Sequence, residues 1–153
     1  MRFDYCNSQF YGLPYELVQR LQRVQNCAAR LVSKRKLPSR SLGSFFFDNH
    51  WLQVKFRPVY KILTIVHNCL HHCAPEDIKS MLAYGESRRT LHLNEPVFNN
   101  KFGKRSFSRS GPKLWNLLPF RLRLEKKTEK FKKDLKSFLM LEGDAYLLKL
   151  DQR

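Results

Sequence analysis

Acidic residues are scarce in this sequence, and two long stretches have none. Thirteen Asp and Glu stand against 29 Lys and Arg, a net charge of +16, and neither Leu17–Phe47 nor Pro96–Leu124 contains an acid. Phosphoryl chemistry on two metal ions needs carboxylates gathered at one place. Here Asp4, Asp48, Asp77, Asp134, Asp144 and Asp151 are never adjacent, so no such centre is expected. Glycine is also sparse: six residues scattered singly exclude a glycine-rich phosphate loop. No apolar run is long enough to span a membrane. The longest uncharged stretch, Ile62–Pro75, is too short and carries His67, Asn68, His71 and His72, so no membrane partner is expected.

Met1–Cys6 has no apolar signal core. The expected location is therefore intracellular, where Cys6, Cys27, Cys69 and Cys73 stay reduced thiols. His67, Cys69, His71, His72 and Cys73 lie close together, but structural zinc sites usually draw on two separated ligand pairs, so neither a metal nor any other cofactor is expected. A Cys–His nucleophile would need an orienting acid and an oxyanion hole, and nothing nearby supplies them. No catalytic residue is assigned, and the chain is not expected to be an enzyme.

Helical periodicity is what the sequence does contain. With 42% hydrophobic and 13% aromatic residues, the chain can bury one modest core. The expected organisation is a single helical domain over 1–142 followed by a tail, 143–153. Pro14 suits a helix start, and Leu17, Leu21, Val24, Ala28 and Leu31 recur at helical steps as an expected inward stripe that ends before Pro38. Phe45, Phe46 and Phe47 are placed on a short buried element. A second long helix carries Val59, Ile62, Leu63, Val66 and Leu70, and Pro75 opens a short helix through Leu82. Ser110 is expected to cap a helix with Leu114, Trp115, Leu117 and Leu118, and Thr128 one with Phe131, Leu135, Phe138 and Leu139. Around residues 90–107 the period fails, which predicts a short irregular or hairpin segment. The fold class is therefore mainly α, with five or more helices. Trp51 and Trp115, beside Leu52 and Leu114, are read as core.

An excess of cations on this scale calls for a polyanion, and nucleic acid is the usual one. The acid-free stretches supply candidate phosphate-facing residues. The first gives Arg20, Arg23, Arg30, Lys34, Arg35, Lys36 and Arg40; the second gives Lys104, Arg105, Arg109 and Lys113, with Lys101, Arg121 and Arg123 in the same run. Lys126–Lys136 is interleaved with Glu129 and Asp134 and preceded by Glu125, and reads as an ordinary solvated helix. Lys34-Arg35-Lys36 also leaves nuclear import open.

Several strings carry a resemblance. Asp4-Tyr5-Cys6-Asn7-Ser8 with Gly12-Leu13-Pro14 comes first, followed by Leu21-Gln22-Arg23-Val24-Gln25-Asn26-Cys27-Ala28-Ala29-Arg30-Leu31-Val32. His50-Trp51-Leu52, Val54-Lys55 with Arg57, Lys61-Ile62-Leu63, and Leu70-His71 with Ala74-Pro75 continue the series. Gly103-Lys104-Arg105-Ser106-Phe107, Pro112-Lys113-Leu114-Trp115-Asn116-Leu117-Leu118-Pro119 and Phe131-Lys132-Lys133 close it. In order and rough spacing these blocks resemble the segment that follows the catalytic domain in reverse transcriptases of non-LTR retrotransposons, of the jockey and chicken-repeat clades.

The resemblance implies a non-catalytic C-terminal fragment of an RNA-directed DNA polymerase whose partners are the upstream polymerase domain, missing here, and RNA or DNA backbone bound without sequence preference. Three positions depart from the family pattern: Gln53 in place of a proline, Pro58 in place of an apolar helical residue, and Gly111 in place of a common alanine. A proline inside a helix costs about 3 kcal/mol, so either the helix starts near Arg57 or the sequence is a decaying copy of the element. The alternative is a host-retained helical protein-interaction module, with no role in nucleic-acid binding, acting through Phe45, Phe46 and Phe47.

Overall fold

The computed structural model describes residues 7–34, 38–71, 74–82, 91–98, 100 and 103–151. Among these, eight α-helices and no strand are found, so the fold is mainly helical. The chain divides into two compact units, Met1–Pro58 and Val59–Arg153, where the sequence reads as one domain over 1–142.

In the first unit, a turn of 3-10 helix, Asn7–Phe10, precedes α1 (Tyr15–Ser33), and Pro14 stands at the N-cap with extended backbone. Lys34 ends α1 in the left-handed region, φ 52°, its N–H bonded to Leu31 O. After a second 3-10 turn, Ser39–Ser41, comes α2 (Leu42–Asp48). Leu42 and Phe46 are buried with Ala29 of α1, and Phe45 and Trp51 pack against them. The Trp51 indole stacks on Phe46 at 6.3 Å and meets Phe45 edge-on at 5.8 Å.

The inner face of α1 differs from the expected leucine stripe. Its buried residues are Gln25 and Ala29, while Leu17, Val24 and Leu31 are exposed. Two glutamines hold the loop after α2 by its backbone: Gln25 Nε2 donates to Leu52 O, and Val54 N–H donates to Gln22 Oε1, each at 2.9 Å. Gln22 is oriented in turn by Asn26, one helical turn along. Leu52 O also accepts from Arg57 Nε at 3.2 Å. The glutamines make directed bonds to the loop that a leucine cannot make, and the face that carries them, with Ala29, is the one turned inward.

The helix α3 (Phe56–His71) has Pro58 as its third residue. In a first turn the N–H has no helical partner, so the missing donor leaves nothing unsatisfied and the interior penalty does not arise. The inward face of α3, Val59, Ile62, Leu63, Val66 and His67, is buried, and the His67 ring meets Trp115 of α5 (Phe107–Asn116) and Phe131 of α7 (Thr128–Leu141). α4 (Glu76–Ser80) follows Pro75.

α5 begins three residues before Ser110, which lies fully inside it. Gly111 and Pro112 are carried within the helix, and a Cβ at Gly111 would lie 3.0 Å from Val66 Cγ2. The glycine thus marks a close approach of α3 and α5.

α6 (Phe120–Arg123) and α8 (Gly143–Asp151) complete the unit. Residues 143–153, read from sequence as a tail, therefore contain a helix. Tyr146 and Leu150 are buried, and Tyr146 OH donates to Leu114 O at 2.6 Å.

The predicted irregular segment takes a specific form. Residues 91–98 run without helix, and Leu93 is buried, held by both backbone groups to the Asn116 side chain. Trp115 Nε1 donates to Leu91 O at 2.9 Å. Asn99, within the predicted segment, lies outside the described residues; Asn100 Oδ1 accepts from Gly103 N–H, at the start of a 3-10 turn, Gly103–Arg105.

Candidate nucleic-acid interface

The predicted cations separate by environment. On α1, Arg20, Arg23 and Arg30 are exposed, and Lys34 is exposed at its C-cap. Arg23 and Arg30 lie on one face about 10.5 Å apart along the axis, and Arg20 lies on the flank next to it, at the 1.5 Å rise of a helix. Glu16, in the first turn, is the one acid of α1. Arg35 and Lys36 lie outside the described residues, as does Lys101, and so do the side chains of Arg40 and Lys104.

The second acid-free stretch is more entangled with its own unit. Arg105 is exposed and Arg109 half-buried. Lys113 is half-buried, and its Nζ donates to Leu150 O at 2.9 Å, near the C-terminal end of α8, where a cation meets unsatisfied carbonyls. Arg121 is exposed. Arg123 is buried, its guanidinium sits 5.7 Å from the centre of the Phe120 ring, and burial lowers its pKa from the ordinary arginine value. Lys113 and Arg123 thus serve the fold, an assignment a run of basic residues cannot reveal.

Two of the four lysines of α7 are paired with acids. Lys130 Nζ lies 2.6 Å from Glu125 and Lys132 Nζ lies 2.8 Å from Glu129. The Glu125 carboxyl is pulled below its ordinary range first by the Lys130 hydrogen bond, then by the Lys127 N–H, and Lys130 is raised correspondingly. This face offers a phosphate less than its lysine count suggests.

The residues considered for chemistry pack as structure. His67, fully buried, lies flat on Phe131 with ring centres 4.1 Å apart, and its Nε2 is 2.7 Å from Glu125 O, so that nitrogen carries the proton and donates. Cys69 is buried, and burial raises its thiol pKa. His72 and Cys73 lie outside the described residues. Among the described residues no group of three or more His, Cys, Asp or Glu is placed to hold a metal, and no helix is long and apolar enough to cross a membrane.

Of the three phenylalanines that the protein-contact reading relies on, Phe46 is buried, Phe45 half-buried, and Phe47 49% exposed. They make one exposed ring rather than a patch. Sequence reasoning missed the larger apolar surface, the outward edge of α1, because helical spacing marks an apolar stripe without saying which way it faces. The chain matches no family model, no curated protein and no solved structure.

Proposed function

We propose that the chain is a non-catalytic nucleic-acid-binding appendage, the counterpart of the segment that follows the polymerase domain in non-LTR retrotransposon reverse transcriptases, and that it holds RNA or DNA by backbone phosphates without reading sequence. The observation that carries the reading is α1, where Arg20, Arg23 and Arg30 are exposed on a helix whose one acid lies in its first turn. Guanidinium groups suit phosphate because their donors form a planar fork, and contacts of this kind position a strand but carry no sequence information. The ordered motif blocks from residue 4 to about 140 support the link to the polymerase.

Salt titration tests it. If about five phosphates are neutralised, the logarithm of the binding constant falls with the logarithm of salt at a slope of roughly -3.5 to -4.5. Replacing Arg20, Arg23 and Arg30 together by alanine should flatten that slope by about 2 to 3. Replacing Lys126, Lys127 and Lys130 should flatten it less, because Lys130 is already paired with Glu125. Equal losses from the two triple variants would reduce the effect to net charge, and an affinity insensitive to salt would remove the phosphate mechanism.

A further inference from the structure

We propose that α1 also carries a docking seam for an acidic amphipathic helix of a partner protein. Leu17, Leu21, Val24, Ala28 and Leu31 step by four, three, four and three residues, the heptad spacing that keeps one edge of a helix against another helix. The fold does not cover this edge. Because α1 turns Gln25 and Ala29 inward, Leu17 is 40%, Val24 47% and Leu31 80% exposed, with Leu21 and Ala28 half-buried beside them and Val32 61% exposed at the far end. Apolar strips of this kind on an otherwise charged surface mark sites of association.

The charge along the seam selects the occupant. Arg20 follows Leu17 by three residues and so borders one side of the strip, with Arg23 and Arg30 just outside it on the same side, while Lys34 stands beyond its end at the left-handed C-cap. Arg20 occupies the flanking position that sets partner choice in paired helices. A second copy of the chain fits poorly: two such helices packed against each other bring two arginine-bordered edges together, and like charges across an interface suppress pairing. A helix with a leucine seam and glutamates along its edge places an acid opposite each cation instead. The seam shares its bordering arginines with the phosphate surface but rests on the apolar residues, so the two proposals can fail separately.

The test uses the full chain and two synthetic helical peptides with the same leucine seam, one flanked by Glu and one by Lys, each followed by fluorescence anisotropy. The Glu-flanked peptide should bind at least about tenfold tighter than the Lys-flanked one, a margin of about 1.4 kcal/mol. Leu17→Ser, Val24→Ser and Leu31→Ser combined should weaken it by about tenfold or more, leaving the nucleic-acid salt slope unchanged and helix content, by circular dichroism, intact. The comparison of the two peptides needs no variant, so it stands whether or not the triple substitution folds. Equal binding of the peptides, or none, overturns the proposal. So does a concentration-dependent dimer of the chain that the three serines abolish, which would assign the seam to a second copy. Retention on anionic phospholipid vesicles that exceeds peptide binding and is lost in the serine variant would assign it to a membrane surface and equally overturn the proposal.

Discussion

Asn116 joins an irregular segment to the helical core with one side chain, and its replacement separates the contributions. Leu93 N–H donates to Asn116 Oδ1 at 2.9 Å, and Asn116 Nδ2 donates to Leu93 O at 2.8 Å and to Glu95 Oε1 at 2.9 Å. Leu93 itself is 3% exposed. Asn116→Ala leaves both backbone groups of Leu93 without these partners. A buried group left unsatisfied costs about 1–3 kcal/mol and an ordinary hydrogen bond contributes about 1 kcal/mol. The Leu93 pair is only partly buried, so the expected loss is about 2–3 kcal/mol.

Asn116→Asp keeps the acceptor for Leu93 N–H but sets a carboxylate against Leu93 O and Glu95. Burial and the neighbouring acid raise such a carboxyl above its unfolded value. Its ionised form therefore destabilises the fold above that value, and the penalty fades as pH falls and the protonated acid donates to Leu93 O. The aspartate variant should be the weaker of the two at neutral pH and should gain on the alanine variant as pH falls from its raised value to the ordinary carboxylate value. Urea unfolding supplies the free energies, and hydrogen exchange at the Leu93 amide reports the site directly. A loss under about 0.5 kcal/mol in Asn116→Ala, the size of a neutral surface change, with Leu93 exchange unchanged, would refute the reasoning.

Three further outcomes follow from the second unit and from α1. His67→Ala should destabilise by about 3 kcal/mol, removing a buried ring from Phe131, whereas His67→Phe should lose only about 1 kcal/mol with the bond to Glu125 O; equal losses by calorimetry would show that the stack contributes little. The Glu125 carboxyl is held below its ordinary value by Lys130, so its stabilising effect is present above the unfolded value and fades as pH falls through the folded one; Glu125→Gln should flatten the acid limb of a pH–melting profile, and an unchanged limb would contradict this. Cys27 is exposed and Cys69 buried with a raised thiol pKa, so iodoacetamide with peptide mapping should alkylate Cys27 well before Cys69, and equal rates would contradict the burial.

The sequence was most legible where apolar spacing and packing agree. Phe131, Leu135, Phe138 and Leu139 recur at helical steps against a face of lysines and acids, and all four are buried on α7. α1 was legible as a helix but not in its orientation. Its leucines and its glutamines both recur with helical period, and the contacts of the inward face, with Leu52 and Val54 and with Leu42 and Phe46, are made to residues distant in sequence. Basic runs are ambiguous in the same way. Arg20 and Arg123 carry the same charge, yet one is exposed and the other is buried beside Phe120. The helix of residues 143–151 gave a weak signal because Leu147, Leu148 and Leu150 ring it without forming one stripe, and of these leucines Leu150 is the buried one.

The glutamine attachment of α1 has a thermal consequence. Opening a contact made of side-chain amides and backbone groups exposes little hydrocarbon to water, whereas prying apart a leucine interface exposes a great deal, and it is newly hydrated hydrocarbon that gives unfolding its large heat capacity. Breaking the two glutamine bonds to the loop at Leu52–Val54 should therefore carry a small heat-capacity change, and their free energy should vary gently with temperature. The steep curvature belongs to the apolar contacts, those within Val59–Arg153 and that of Ala29 with Leu42 and Phe46. On cooling, the hydrophobic part of the stability weakens first, so the hold on α1 should pass increasingly to its glutamines.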